Sequence, residues 1–72
     1  FAPGSGADTV TGFIAGGVED TINLQAYNGT GVTWSITQTG ADTIFAFTNG
    51  DQITLTNVTA ATLVQTDPFG YA

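Results

Sequence analysis

No stretch of this chain carries apolar residues at helical spacing, and that absence narrows what it can fold into. Val32, Trp34 and Ile36 alternate with Thr33, Ser35 and Thr37, the two-residue period of a half-buried strand. Asn49-Gly50 lies between apolar runs. Both residues tolerate positive φ, so the dipeptide predicts a two-residue type I′ hairpin turn between Thr48 and Asp51. That register pairs Ala46 with Ile53 and Ile44 with Leu55 on one face. It sends Phe45 and Phe47 to the other face, with Gln52 and Thr54. Aromatics on the second face predict a sheet covered on both sides, by another sheet or another subunit. Residues 9–14 and 21–24 are further strand candidates, separated by a turn at Gly16-Gly17, and Asn28-Gly29 marks a loop. Residues 59–64 read as one helical turn capped by Thr59 or as a last extended piece, closed by Pro68. The expectation is an all-β fold: a small antiparallel β-sandwich or β-roll-like sheet with hairpins and little or no helix.

The 72 residues amount to a single β domain. Two approximate repeats run through it, about 4–24 and 38–58. Gly6-Ala7-Asp8-Thr9-Val10 returns as Gly40-Ala41-Asp42-Thr43-Ile44, and Asp20-Thr21-Ile22-Asn23-Leu24 returns as Asp51-Gln52-Ile53-Thr54-Leu55. An ancestral duplication and a convergent turn-strand grammar both account for them. A core this small is marginal, and with no Cys there is no disulfide to reinforce it. Metal, a neighbouring domain or further copies of the chain are the remaining sources of stability. A chain opening on Phe is expected to be a processed or excised piece.

Charge narrows the functions. There is no Lys, Arg or His, and six Asp and Glu set the formal charge at −6. Nucleic-acid binding needs cations to displace phosphate counterions, and attraction to an anionic membrane needs them too. No apolar run is long enough to insert in a membrane as a helix. Catalysis lacks its commonest acid–base group and any thiol, so the chain is expected not to be an enzyme. The natural counterion of such a surface is a dissolved cation, with calcium, which takes oxygen ligands, the first candidate. Trp34, Tyr27 and Tyr71 with nearby Asn and Gln are a candidate sugar-binding face, weighed against ordinary core packing.

Residues 3–11, Pro3-Gly4-Ser5-Gly6-Ala7-Asp8-Thr9-Val10-Thr11, fit the calcium-binding nonapeptide G-G-x-G-x-D-x-U-x at every defined position but the first. Glycines let the backbone turn its carbonyls inward, the Asp supplies a hard anionic oxygen, and the apolar residue begins the packed strand. Asp8 is therefore the expected ligand, aided by carbonyls around Gly4 and Gly6. The degenerate copy Gly16-Gly17-Val18-Glu19-Asp20-Thr21-Ile22 offers Glu19 and Asp20 next. A lone turn supplies half a site, since calcium in a parallel roll sits between successive turns. The competing reading makes Asp8, Asp20, Asp42 and Asp51 turn residues that accept from backbone N–H groups.

The run from Phe1 to Phe13, followed by Glu19-Asp20-Thr21-Ile22-Asn23-Leu24, resembles the region that closes the calcium-binding RTX (repeats-in-toxin) proteins. There F-x-P-G-S-G-x-D-T-I-x-x-F leads to D-x-I-D-L-S and then to a hairpin. The hairpin is matched by Asp42-Thr43-Ile44 through Gly50-Asp51-Gln52-Ile53-Thr54-Leu55-Thr56-Asn57-Val58. Leu63, Asp67 and Phe69 echo the family's closing stretch, with Pro68 inserted. The resemblance implies an extracellular bacterial protein exported by a type I system, with calcium promoting folding outside the cell. Tandem glycine-rich repeats are absent, and Asn23 replaces the family's usual Asp.

Two functions follow as expectations. One is a structural module that self-associates through strand edges and apolar faces, with Phe45, Phe47 and Trp34 as contact residues and other copies of the chain as partners, forming a filament or surface layer. The other is the C-terminal folding cap of a larger RTX exoprotein. Unguarded edges favour the first, because residues 32–58 contain just two charges, both in turns.

Overall fold

The structure, a computed structural model, describes residues 1–17 and 19–72; Val18, part of the second glycine-rich motif, lies outside the described residues. Among the described residues seven short strands form: β1 (Ala7–Val10), β2 (Ile22–Asn23), β3 (Trp34–Thr39), β4 (Asp42–Phe47), β5 (Gln52–Leu55), β6 (Gln65–Asp67) and β7 (Gly70–Tyr71). Single 3-10 turns at Gln25–Tyr27 and Ala60–Thr62 are the helical elements. One sheet has the order β1-β5-β4-β3 and the other β2-β7-β6. The fold is all-β, as the alternation predicts. Every pairing is antiparallel except β1 with β5, which run parallel from Ala7↔Gln52 to Val10↔Leu55.

The core lies between the sheets and consists of Ile22, Leu24, Tyr27, Phe45, Phe47, Ile53, Leu55 and Val58. Aromatic contacts bridge the layers: Phe45 meets Tyr71 edge-on at 5.2 Å, and Trp34 tilts against Phe69 at 5.8 Å. Offset and edge-on geometries suit the ring quadrupoles better than a face-to-face sandwich. Within the second sheet, backbone bonds extend both ladders: Leu24 N–H donates to the Phe69 carbonyl at 2.7 Å, and Ala72 exchanges two bonds with Val64.

The hairpin around Asn49-Gly50 forms, but its register differs from the expected one by one residue. Phe45 pairs with Ile53 and Thr43 with Leu55, so these four share the buried face, while Ile44 sits opposite Thr54 and Ala46 opposite Gln52. Phe45 and Phe47 are buried, Ile44 is half-buried and Ala46 is exposed. The cause is the turn. Gly50 N–H donates to the Phe47 carbonyl at 3.0 Å and Phe47 N–H to the Asp51 carbonyl at 2.9 Å, which closes a three-residue loop, Thr48-Asn49-Gly50. Gly50 has φ 96°, whereas Asn49 is not among the positive-φ residues, so type I′ is not adopted. This is a type I turn followed by a glycine bulge. Asn49 instead bonds forward, accepting from Asp51 N–H at 3.0 Å. Shifting by one residue exchanges the faces, and burying two Phe rings outweighs burying Ile44 and Ala46. The four-stranded sheet is therefore apolar on one face and faces outward with Ser35, Thr37, Ala46, Gln52 and Thr9.

A Cβ at position 50 meets no atom within 4 Å, so strain there comes from the backbone alone. Gly50→Ala is expected to cost roughly 1–2 kcal/mol, the penalty of holding an L-residue at positive φ. Urea unfolding with an unchanged m-value should show it. A neutral effect would contradict the bulged loop.

The other turns are simpler. Gly40-Ala41 joins β3 to β4 with Thr39 opposite Asp42 and Gly40 at φ 60°, the glycine-first pattern of a type II′ hairpin. At Ala60–Thr62 the expected Thr59 side-chain cap is not made. The Thr59 carbonyl instead accepts from the Thr62 hydroxyl at 2.6 Å.

Candidate functional site

Among the described residues the most connected polar group is the Asp51 carboxylate, 6% exposed. Its Oδ2 accepts from Gly4 N–H at 2.9 Å, Tyr27 O–H at 2.9 Å and Asn49 Nδ2 at 2.9 Å, and its Oδ1 accepts from Gly6 N–H at 3.1 Å. Gly4 and Gly6 hold φ of 87° and 77°, which turns both amides toward the same anion. The carboxylate thus clasps the N-terminal loop, the first 3-10 turn and the hairpin loop. The Asn49 amide first, then Gly4 N–H, the Tyr27 hydroxyl and Gly6 N–H, hold the Asp51 carboxyl below its ordinary value of 3.8, against burial, which raises it. Burial first, then the bond to Asp51 and the charges of Asp51 and Asp8, push the Tyr27 phenol above 10.0, with Ser5 acting the other way.

The expected metal ligands are placed differently. Gly4 and Gly6 present amides to Asp51, and the Gly6 carbonyl accepts from Gln52 N–H at 3.0 Å. Asp20 is a turn residue, its Oδ2 accepting from Ile14 N–H at 2.9 Å, and Glu19 is exposed. Asp42 and Asp67 likewise accept from the amides of Asn57 and Phe69. Asp8 differs: its Oδ2 is buried and, among the described residues, has no hydrogen-bond partner. Described residues contain no group of three or more acidic side chains placed to hold a metal. Calcium takes six to eight oxygens, so Asp8 alone provides part of a site.

The proposed contact aromatics divide. Phe45 and Phe47 are enclosed in the chain's own core, with Phe47 stacked on Tyr27 at 4.6 Å. Trp34 is half-buried at the sheet's edge and donates its indole N–H to the Tyr71 hydroxyl at 3.2 Å. With Tyr27 in the core and Tyr71 tied to Trp34, these rings do not form an open sugar-binding face.

Four strands form the sheet edges: β1 and β3 in one sheet, β2 and β6 in the other. Natural edges are blunted by shortness, charge, Pro or inward-pointing charged side chains. β2 has two residues; β6 has three, ends in Asp67 and is followed by Pro68. β1 carries the inward-facing Asp8. β3 is six residues long, Trp34-Ser35-Ile36-Thr37-Gln38-Thr39, with no charge and no Pro. Thr33 accepts from Thr48 N–H at 2.8 Å, so Thr33 and Thr48 are a hydrogen-bonded pair of the β3–β4 ladder. Antiparallel alternation then turns the N–H and C=O of Trp34, Ile36 and Gln38 away from β4, to the free edge.

Sequence reasoning did not find the Asp51 clasp, whose partners lie up to 47 positions apart. The signals available were the Asn49-x-Asp51 pair and two glycine amides flanking Ser5. The chain matches no known protein family, no curated protein and no solved structure.

Proposed function

We propose that this chain is a non-enzymatic structural module of an exported bacterial protein of the RTX kind its motifs resemble, and that it works by self-association outside the cell, as a unit of a filament or surface layer. The observation that carries the reading is β3, the one long edge strand among the described residues with no charge and no Pro. An unpaired, uncharged edge is a template for strand addition. Phe45 and Phe47 leave the interface and support it from behind, as the packed face on which the edge strand rests. Calcium enters as a shared ion, with Asp8 supplying one oxygen and a neighbouring chain or turn the others.

The cap reading has its own support in the parallel pairing of β1 with β5. A glycine-rich turn leading into a parallel strand is the geometry of a roll's last rung, and an upstream rung would continue it. Sedimentation velocity across a wide concentration range, with and without calcium, separates the two. Self-association requires a mass that rises with concentration, more steeply at higher ionic strength, because screening relieves repulsion between chains of charge −6. A chain that remains folded and monomeric throughout, in calcium and in salt, eliminates assembly and leaves the cap.

A further inference from the structure

We infer that the contact between copies is isologous: β3 of one chain adds antiparallel to β3 of a second, with Ile36 opposite Ile36 on a two-fold axis. This rests on the self-association proposed above and fixes its geometry. Three observations select the arrangement.

The first is hydrogen bonding. The groups turned outward are those of Trp34, Ile36 and Gln38, spaced symmetrically about Ile36. Antiparallel addition centred there places Ile36 opposite Ile36 and Trp34 opposite Gln38, and each such pair exchanges two backbone bonds. No outward group of β3 is then left over. A two-fold interface requires this self-complementarity.

The second is charge. Copies carrying six carboxylates and no compensating cation repel wherever acidic groups meet. Residues 21–41 contain no Asp or Glu, so β3 and its flanks are where two copies approach at least cost. On the inner face, Ile36 meets its counterpart across the axis and Trp34 gains cover. On the outer face, exposed Ser35 lies opposite Thr37, a favourable hydroxyl pair.

The third excludes the head-to-tail alternative, β3 of one copy against β1 of the next. Asp8 on β1 already has a buried oxygen without a partner, and adding a strand over that edge deepens its desolvation. The isologous contact avoids it and yields a continuous sheet twice the width. Larger assemblies would grow from this closed pair through a second surface.

The test uses the full chain. Ser35→Glu with Thr37→Glu places like charges opposite each other across the axis while altering only exposed side chains, so the fold is retained and the pair dissociates to monomer in sedimentation. Ser35→Lys with Thr37→Lys should restore a mixed dimer when combined with the Glu variant. Thr9→Glu on β1, equally exposed, should leave the pair intact. The chain has no Cys, so Ile36→Cys on its own should give a disulfide-linked dimer on oxidation, since opposed hydrogen-bonded residues lie within bridging distance. A chain that associates, yet ignores the Glu pair and does not cross-link at position 36, overturns this geometry and leaves self-association through another surface. A chain that never associates overturns both.

Discussion

Phe45→Ala is expected to remove a large share of the chain's stability. Phe45 is fully buried, lies opposite Ile53 in the sheet and meets Tyr71 edge-on across the two layers. Truncating a buried Phe removes its transfer free energy and leaves a cavity, typically about 3–5 kcal/mol. A domain of this length holds about 4–11 kcal/mol in total at ordinary stability per residue. The loss is therefore a large share of the total. Ile44→Ala removes a half-buried side chain on the outer face and should cost far less. Urea denaturation monitored by tryptophan fluorescence gives both values, as Trp34 packs beside Phe47 at 5.7 Å. The ranking tests the register itself, because a type I′ turn would place Ile44 and Ala46 with Ile53 and Leu55. Equal losses at positions 44 and 45 would be incompatible with the bulged loop.

The parts of the fold visible in the sequence are those governed by local chemistry. β3 is legible because Trp34 and Ile36 alternate with Ser35 and Thr37 within one short run, and the structure half-buries the first pair and exposes the second. The hairpin location is legible from Asn49-Gly50, but its register is not. The same dipeptide suits a type I′ turn and a type I turn with a glycine bulge, and packing of Phe45 and Phe47 decides between them. The two Asp-Thr-apolar segments illustrate the same limit. Asp8 faces inward on β1, whereas on β4 Thr43 faces inward and Asp42 lies on the other side, so similar strings sit in opposite phase. Nothing local distinguishes them, because inward and outward are set by partner strands distant in the chain. Asp51 follows the same rule: turn chemistry marks it as an acceptor of backbone N–H groups, while Gly4 and Gly6 arrive through the parallel docking of β1 on β5 and Tyr27 through its stacking on Phe47.

Asp51→Asn is expected to loosen the N-terminal segment before the rest of the chain and to reduce the dependence of stability on pH. The carboxylate accepts four hydrogen bonds, from Gly4, Gly6, Tyr27 and Asn49. An amide keeps one acceptor oxygen and presents N–H groups where the other stood, so donors are left facing donors. Amide exchange at Gly4 and Gly6 should accelerate more than at Phe45 or Ile53, because the clasp is what ties the first loop down. The pH signs follow from linkage. Asp51 has a folded value lowered from 3.8, so its contribution is complete above that ordinary value and disappears as pH falls through the lowered one. Tyr27 has a folded value raised from 10.0, so its contribution is complete below 10.0 and disappears as pH rises through the raised one. The clasp thus opens at both extremes. Acid also relieves the repulsion among the chain's carboxylates, an opposing gain that wild type and variant share apart from the one group removed. The informative quantity is therefore the difference between the two stability curves. It should be large and flat across neutral pH and shrink in strong acid. A difference that stays constant down to the acid limit would show that Asp51 does not hold the loop as an anion.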